Sequence, residues 1–403
     1  MAHIQRGTRT FKKANLALFA GGFSTFAILW GTQPLLPELA REFHISPALS
    51  SLSLSSTTIA LAVSILIAGS LSEVFGRKSI MTLSIVVSSL LSVLTAFSPN
   101  FHLLILFRIL QGITLAGLPA VAMAYLGEEI EPRSLGMAMG LYISGNSIGG
   151  MAGRIICGFL TDYFGWHAAL AGVGLVSLLA GVVFWRILPP SVNFHPRKFE
   201  IGSLAKTLFS QFKEPGLVYL FLIAFLLMGG FVSLYNYIGF QLIRPPYSLS
   251  QTLVGFIFIV YMVGTFSSTW MGMLADKYGR RVILGLSLFI LFIGAFITLD
   301  ASLWVKIVGV AVFTFGFFAG HSLASGWVGK FASHDKAQAS SLYLFFYYAG
   351  SSIGGTASGA VYSGFGWHGV VAWIMILAVV SILLSIRLGI IAKRKFKTHT
   401  AEV

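Results

Sequence analysis

The sequence predicts an all-α polytopic membrane protein, with twelve transmembrane helices arranged as two pseudo-symmetric six-helix bundles. Three observations predict it. The 403-residue chain is 56% apolar and only 10% charged, too little charge to cover a water-soluble globule. Apolar runs of about twenty residues recur from end to end, each enough to cross a ~30 Å hydrocarbon core at ~1.5 Å per residue. One charged motif also occurs twice, half a chain apart.

The runs fall at 15–36, 50–71, 79–98, 102–125, 135–160, 167–188, 217–240, 251–272, 281–299, 304–328, 339–362 and 368–391. They do not alternate in polarity as barrel strands do, so helices must satisfy the backbone. The N-terminal MAHIQRGTRTFKK precedes an apolar segment with no small-residue cleavage site, which reads as a retained first helix. The net charge of +14 is topology: most of the 27 Lys and Arg fall in alternate loops and both tails. By the positive-inside rule both termini are cytoplasmic. The expected partners are the lipid bilayer, a small molecule and protons, with no nucleic acid, and a monomer is expected in the cytoplasmic membrane. The single cysteine, Cys157, excludes an internal disulfide and fits no metal-ligand spacing, so neither metal nor cofactor is expected.

Residues 189–214 are rich in proline and charge and divide the chain into an N-terminal bundle (1–188), a linker and a C-terminal bundle (215–403). Within the linker Phe199, Leu204, Leu208 and Phe212 form an apolar stripe away from Lys206 and Lys213, the pattern of a helix lying on the inner leaflet. Two repeats support the division. SIGG at 147–150 recurs at 352–355, and FGWH at 164–167 recurs at 365–368, with one helical turn less between them in the second half. Homologous halves around a midplane site are a transporter architecture.

The duplicated motif reads GSLSEVFGRKSI at 69–80 and GMLADKYGRRVI at 272–283. Both copies fit the G-x-L-a-D-r-x-G-R-R signature that follows the second helix of the major facilitator superfamily, which the chain resembles over its whole length. The matching residues are Gly69, Glu73, Gly76, Arg77 and Lys78, then Gly272, Asp276, Gly279, Arg280 and Arg281, with Glu73 in place of the usual Asp. A tight turn there needs glycine, and a carboxylate can approach the positive end of a nearby helix. The resemblance implies that these residues form an inner gate. Gly136, Gly145, Gly149 and Gly153 follow the antiporter motif of the fifth helix, with Gly150 and Arg154 replacing its proline and last glycine. Arg108, Gln111 and Gly112 resemble the R-x-x-x-G motif linked to proton coupling, and WGTQPLLPELAREF at 30–43 resembles the end of helix 1 in drug:proton antiporters and a poorly characterised bacterial group of efflux-type proteins.

An arginine inside a span is costly and needs a reason. Arg108 and Arg154 are the two such residues, and no Asp or Glu falls in the middle of a predicted span; Glu38 and Asp162 lie at outer helix ends. Ser24, Thr25 and Phe26 occupy the stretch where drug antiporters carry a carboxylate in helix 1. The proton-coupling candidates are therefore Arg108, Arg154, Asp162, Glu38 and His321, the last because imidazole titrates near neutrality. The substrate-binding candidates are Gln33, Asn146, Arg154, Tyr235, Asn236, Tyr237, His321 and Tyr347, polar groups beside aromatic faces.

No nucleotide-binding G-x-x-x-x-G-K-[ST] loop, Ser–His pair, Asp pair or H-E-x-x-H is present, which argues against a primary pump or an enzyme. The expected function is secondary active transport by alternating access, proton-coupled efflux of a drug-like compound or metabolite. The alternatives are proton-coupled uptake of a small anion or sugar, and a sensor that has lost transport.

Overall fold

The apolar runs fold as helices, and the breaks fall where the sequence supplies proline, glycine or a capping side chain. The computed structural model describes residues 3–194, 201–332 and 334–400. Helix α1 (Arg9–Gly31) passes through a 3₁₀ turn, Gln33–Leu35, into α2 (Leu36–Glu42); Pro34 at that turn has no N–H to continue the ladder. Ser46 caps α3 (Pro47–Phe75) by accepting the Leu49 amide at 3.2 Å. After α4 (Arg77–Ala96), Asn100 caps α5 (Phe101–Leu115), which continues beyond Ala116 as α6 (Gly117–Glu129). Helix α7 (Leu135–Ile187) completes the first half, and α8 (Ile201–Ser210), α9 (Pro215–Ile243), α10 (Gln251–Phe256), α11 (Tyr261–Tyr278), α12 (Arg280–Ile297), α13 (Leu303–Phe331) and α14 (Lys336–Thr400) follow.

Helices α7 and α14, 53 and 65 residues long, are each far longer than the ~20 residues one crossing needs. Each folds back at the glycine of its FGWH repeat: Gly165 (φ 79°, ψ 166°) and Gly366 (φ 60°, ψ −151°) leave helical geometry there. The 10 continuous apolar helices of the described residues, two of them double, therefore supply the twelve crossings expected. The repeat marks the corner between spans 5 and 6 and between spans 11 and 12.

Contacts divide the chain into two compact units. The first holds α1 to α7 together with Leu242–Phe258; the second holds α8, the rest of α9 and the chain from Ile259 onward. In the first unit α7 lies backbone to backbone on α1. A β-carbon at Gly145 would sit 2.5 Å from the Phe19 carbonyl oxygen, one at Gly149 2.2 Å from that of Phe23, and one at Gly153 2.6 Å from the Ala27 Cα. In the second unit Gly350 and Gly354 meet Phe225 and Gly229 in the same way. Lipid gives helices no hydrophobic drive to associate, so close van der Waals approach over small residues holds them.

The linker helix is α8. Leu204 and Leu208 are half-buried and Lys206 is exposed. Phe212 lies past its end in a 3₁₀ turn and packs on Phe221 and Phe346, while Phe199 lies outside the described residues. Lys306, in the first turn of α13, is buried. Its Nζ and the Trp367 Nε1 both donate to the Thr298 carbonyl at the end of α12, capping an otherwise unsatisfied C-terminus.

Candidate functional site

The two charged motifs form matching corners. Gly76 (φ 90°, ψ 144°) joins α3 to α4, and Gly279 (φ 90°, ψ 136°) joins α11 to α12, a conformation open essentially to glycine alone. Gly69 and Gly272 lie inside their helices with open space beside them. Arg77 is buried and donates from Nε (3.2 Å) and Nη2 (2.7 Å) to the two carboxylate oxygens of Glu128, and from Nη1 (2.5 Å) to the Ser72 hydroxyl. Glu73 stands 3.8 Å from Arg77 on the adjoining turn. Lys78 donates to the Leu188 carbonyl. In the second corner Asp276 is exposed, whereas Arg280 lies against Gly326 and Arg281 against Gly389.

Sequence reasoning missed Glu128 and its neighbour Glu129. Glu129 is buried and accepts the Asn193 backbone amide at 2.8 Å, so it ties down the start of the linker, and Tyr125 donates to the Pro189 carbonyl at 3.0 Å. The N-terminal arm pairs with the same loop: the Ile4 amide donates to the Glu129 carbonyl (2.7 Å) and the Arg6 amide to the Glu131 carboxylate (2.9 Å). The available signal was the crowding of Glu128, Glu129 and Glu131 at the end of span 4, in a chain with only 13 acidic residues.

Arg108 is fully buried, and backbone and amide oxygens surround its guanidinium. It donates to the carbonyls of Ser53 (2.7 Å), Ile28 (3.4 Å) and Leu29 (3.1 Å) and to Gln111 Oε1 (2.7 Å). That geometry stitches α1, α3 and α5 together.

Arg154 stands in a different setting. Tyr142, Asn146, Gly150 and Arg154 recur at one helical turn along α7 and face Gly22, Phe26, Trp30 and Gln33 of the first span. A β-carbon on Gly22 would lie 2.2 Å from Asn146 Oδ1, and one on Gly150 would meet Phe26 and Trp30. The Arg154 guanidinium donates to Gln33 Oε1 (2.7 Å) and the Gly150 carbonyl (2.7 Å). Trp30 and Phe258 each place a ring centroid 4.8 Å from it, within cation–π range. The structure thus brings Gln33, Asn146 and Arg154 onto one seam.

The remaining candidates cluster in the second unit. The Tyr235 hydroxyl shares a 2.7 Å hydrogen bond with Thr314, and Tyr237 donates to the Gly355 carbonyl at 2.9 Å; Asn236 is buried beside Gly355. His321 Nδ1 lies 3.0 Å from the Tyr343 hydroxyl, which also reaches the His321 carbonyl at 3.4 Å. If the phenol proton serves the carbonyl, Nδ1 carries the imidazole hydrogen, an assignment made from the network. The Tyr347 ring centroid lies 4.5 Å from that of His321.

Beyond the first span Glu38 pairs with Arg41 at 2.5 Å. Asp162 accepts the backbone amides of Gln251 (3.0 Å) and Thr252 (2.7 Å). Among the described residues no group of three His, Cys, Asp or Glu side chains can hold a metal ion.

The family model of the major facilitator superfamily matches residues 18–244 and 237–401. The chain belongs to that superfamily. It is 54% identical to the uncharacterized MFS-type transporter YybF of Bacillus subtilis (strain 168), covering 96% of this chain and 95% of that one. It is 45% identical to the inner membrane transport protein YnfM of Escherichia coli (strain K12), covering 96% and 92%. At 28% identity, over 89% and 92% of the two chains, it resembles the multi-drug resistance efflux pump PmrA of Streptococcus pneumoniae serotype 4. Among solved structures a bacterial homolog to the human lysosomal transporter Spinster shares the fold, with TM-score 0.77, 18% identity and coverage of 96% and 98%. As a superfamily member the chain is a multi-span membrane transporter, and the relatives named here are transporters rather than enzymes.

Proposed function

We propose that the protein exports a drug-like compound or metabolite across the cytoplasmic membrane in exchange for protons, by alternating access, with both termini cytoplasmic. The observation that carries the reading is the seam between α7 and the first span. The antiporter-motif positions Gly145, Gly149 and Gly153 supply its backbone contact, and Arg154 and Asn146 supply its polar face. The likeness to an efflux pump over most of both chains supports the direction of transport.

The substrate meets Arg154, Asn146 and Gln33, which suit an anionic or neutral polar group. The residues at 1–188 rock against those at 215–403, and the two charged corners stabilise one state of that motion. His321 carries the coupled proton. Arg108 is engaged by carbonyl oxygens and Glu38 by Arg41, whereas the His321 imidazole adjoins the Tyr343 hydroxyl. A ligand or proton shifts such an equilibrium only by binding its two states unequally.

The test is a proton gradient established in inside-out vesicles containing the protein, challenged in turn with amphipathic cations, sugars and organic anions. Collapse of the gradient by a compound, seen with wild-type protein and absent with His321→Gln, supports antiport and names the substrate class. If no compound collapses it and an acidic exterior instead drives solute into whole cells, uptake replaces export.

A further inference from the structure

Three residues of α7, spaced one turn apart on a single face, meet three successive points of the stretch Gln251–Phe258. Arg154 lies beneath the Phe258 ring, 4.8 Å from its centroid. Gly158 touches backbone: a β-carbon there would lie 2.7 Å from the Gln251 carbonyl oxygen and 3.2 Å from the Gly255 Cα. A β-carbon on Gly255 would in turn lie 3.3 Å from the Arg154 carbonyl oxygen. Asp162 receives the Gln251 and Thr252 amides on its two carboxylate oxygens, at 3.0 and 2.7 Å. This stretch follows α9 in sequence, yet it groups with the first unit.

The contacts differ in kind. The glycine contact is dispersion alone, and the Phe258 contact is a ring over a cation, so neither fixes the start of α10. The carboxylate does, because it satisfies two amides that the first turn of a helix otherwise leaves without partners. Nothing between Leu249 and Val260 is charged, so the anchor has no ionic substitute within the stretch.

We infer that Asp162 is a latch: it pins Gln251–Phe258 to α7, keeps Phe258 seated on Arg154, and must let go before Arg154 is uncovered on that side. Asp162 is thus a positioning residue that acts through Phe258. The inference goes beyond the transport reading and needs no substrate to be tested.

The experiment is hydrogen–deuterium exchange of the full-length protein in detergent, comparing wild type with Asp162→Asn, Asp162→Ala and Glu38→Gln. Loss of two charge-assisted hydrogen bonds is expected to speed exchange across 250–258 by roughly tenfold or more in Asp162→Ala. A smaller increase is expected in Asp162→Asn, which keeps one acceptor. Peptides from α12 and the Glu38→Gln profile are expected to match wild type. Unchanged exchange at 250–258 in both Asp162 variants overturns the latch. So does an equal rise in α12 with Asp162→Asn, which makes the carboxylate a support of the whole fold. Failure of export with the latch intact leaves this result standing, because exchange is read without transport.

Discussion

Arg77 and Glu128 form a two-pronged ion pair across 51 residues of sequence, at 2.7 and 3.2 Å, with Arg77 itself buried. The pair ties the corner after α3 to the end of α6 and gives the charged motif a partner outside itself. Arginine suits the position because its planar fork meets both carboxylate oxygens at once, and lysine does not reproduce that.

The first prediction follows from that pair. Arg77→Gln and Glu128→Gln each impair transport with little change in substrate affinity, and the double variant is no worse than either alone. A double-mutant cycle on thermal unfolding should give a coupling of about 1–2 kcal/mol, the range for a partly buried charged hydrogen bond. Additive effects in the cycle would show that the pair does not act as a unit.

The glycines divide sharply. Gly69→Ala and Gly272→Ala, inside helices with open space beside them, should be neutral or raise stability by about 0.5–1 kcal/mol. Gly76→Ala forces a side chain into a glycine-only conformation and should cost about 1–3 kcal/mol. Gly149→Ala drives a methyl against the Phe23 backbone and should cost about 1–3 kcal/mol as overpacking. Melting temperatures in detergent rank the four, and equal losses across them would contradict the packing described.

That division also shows what the sequence could disclose. The repeated GRK and GRR corners pointed to Gly76 and Gly279, because a local backbone demand leaves a local residue signature. The FGWH repeat is legible in the same way once the backbone shows a break at Gly165 and Gly366. Glu128 was not legible as the Arg77 partner, nor Gln251 and Thr252 as those of Asp162. These contacts join positions far apart in the chain, and backbone amides carry no side-chain signature at all. Arg108 and Arg154 look alike as buried charges in a hydropathy profile. Only geometry separates a guanidinium ringed by carbonyls from one set between Trp30 and Phe258.

The N-terminal arm should depend on pH. The Glu131 carboxyl is held below the ordinary carboxylate range, first by the Arg6 amide and then by the Ser134 hydroxyl. A lowered folded pKa means that the contribution is fully present above the ordinary range and is lost as pH falls through the lowered value. A spin label at position 3, in a Cys157→Ser background, should be immobilised at neutral pH and freed in that acidic window. Glu131→Gln should free it at neutral pH as well. A label equally mobile in both proteins at neutral pH would remove the arm from this role.

His321 and Tyr343 supply the last test. Glutamine at position 321 keeps a hydrogen bond to the phenol but cannot take up a proton. His321→Gln should therefore abolish gradient-driven export while substrate exchange in the absence of a gradient continues near the wild-type rate. Tyr343→Phe removes the hydroxyl that orients the ring, so it should retain export at a reduced rate. A variant that unfolds would lose both activities together, whereas a coupling residue loses one. Gradient-driven export by His321→Gln at the wild-type rate would take the proton away from His321 and return it to the carboxylates of Glu38 and Asp162.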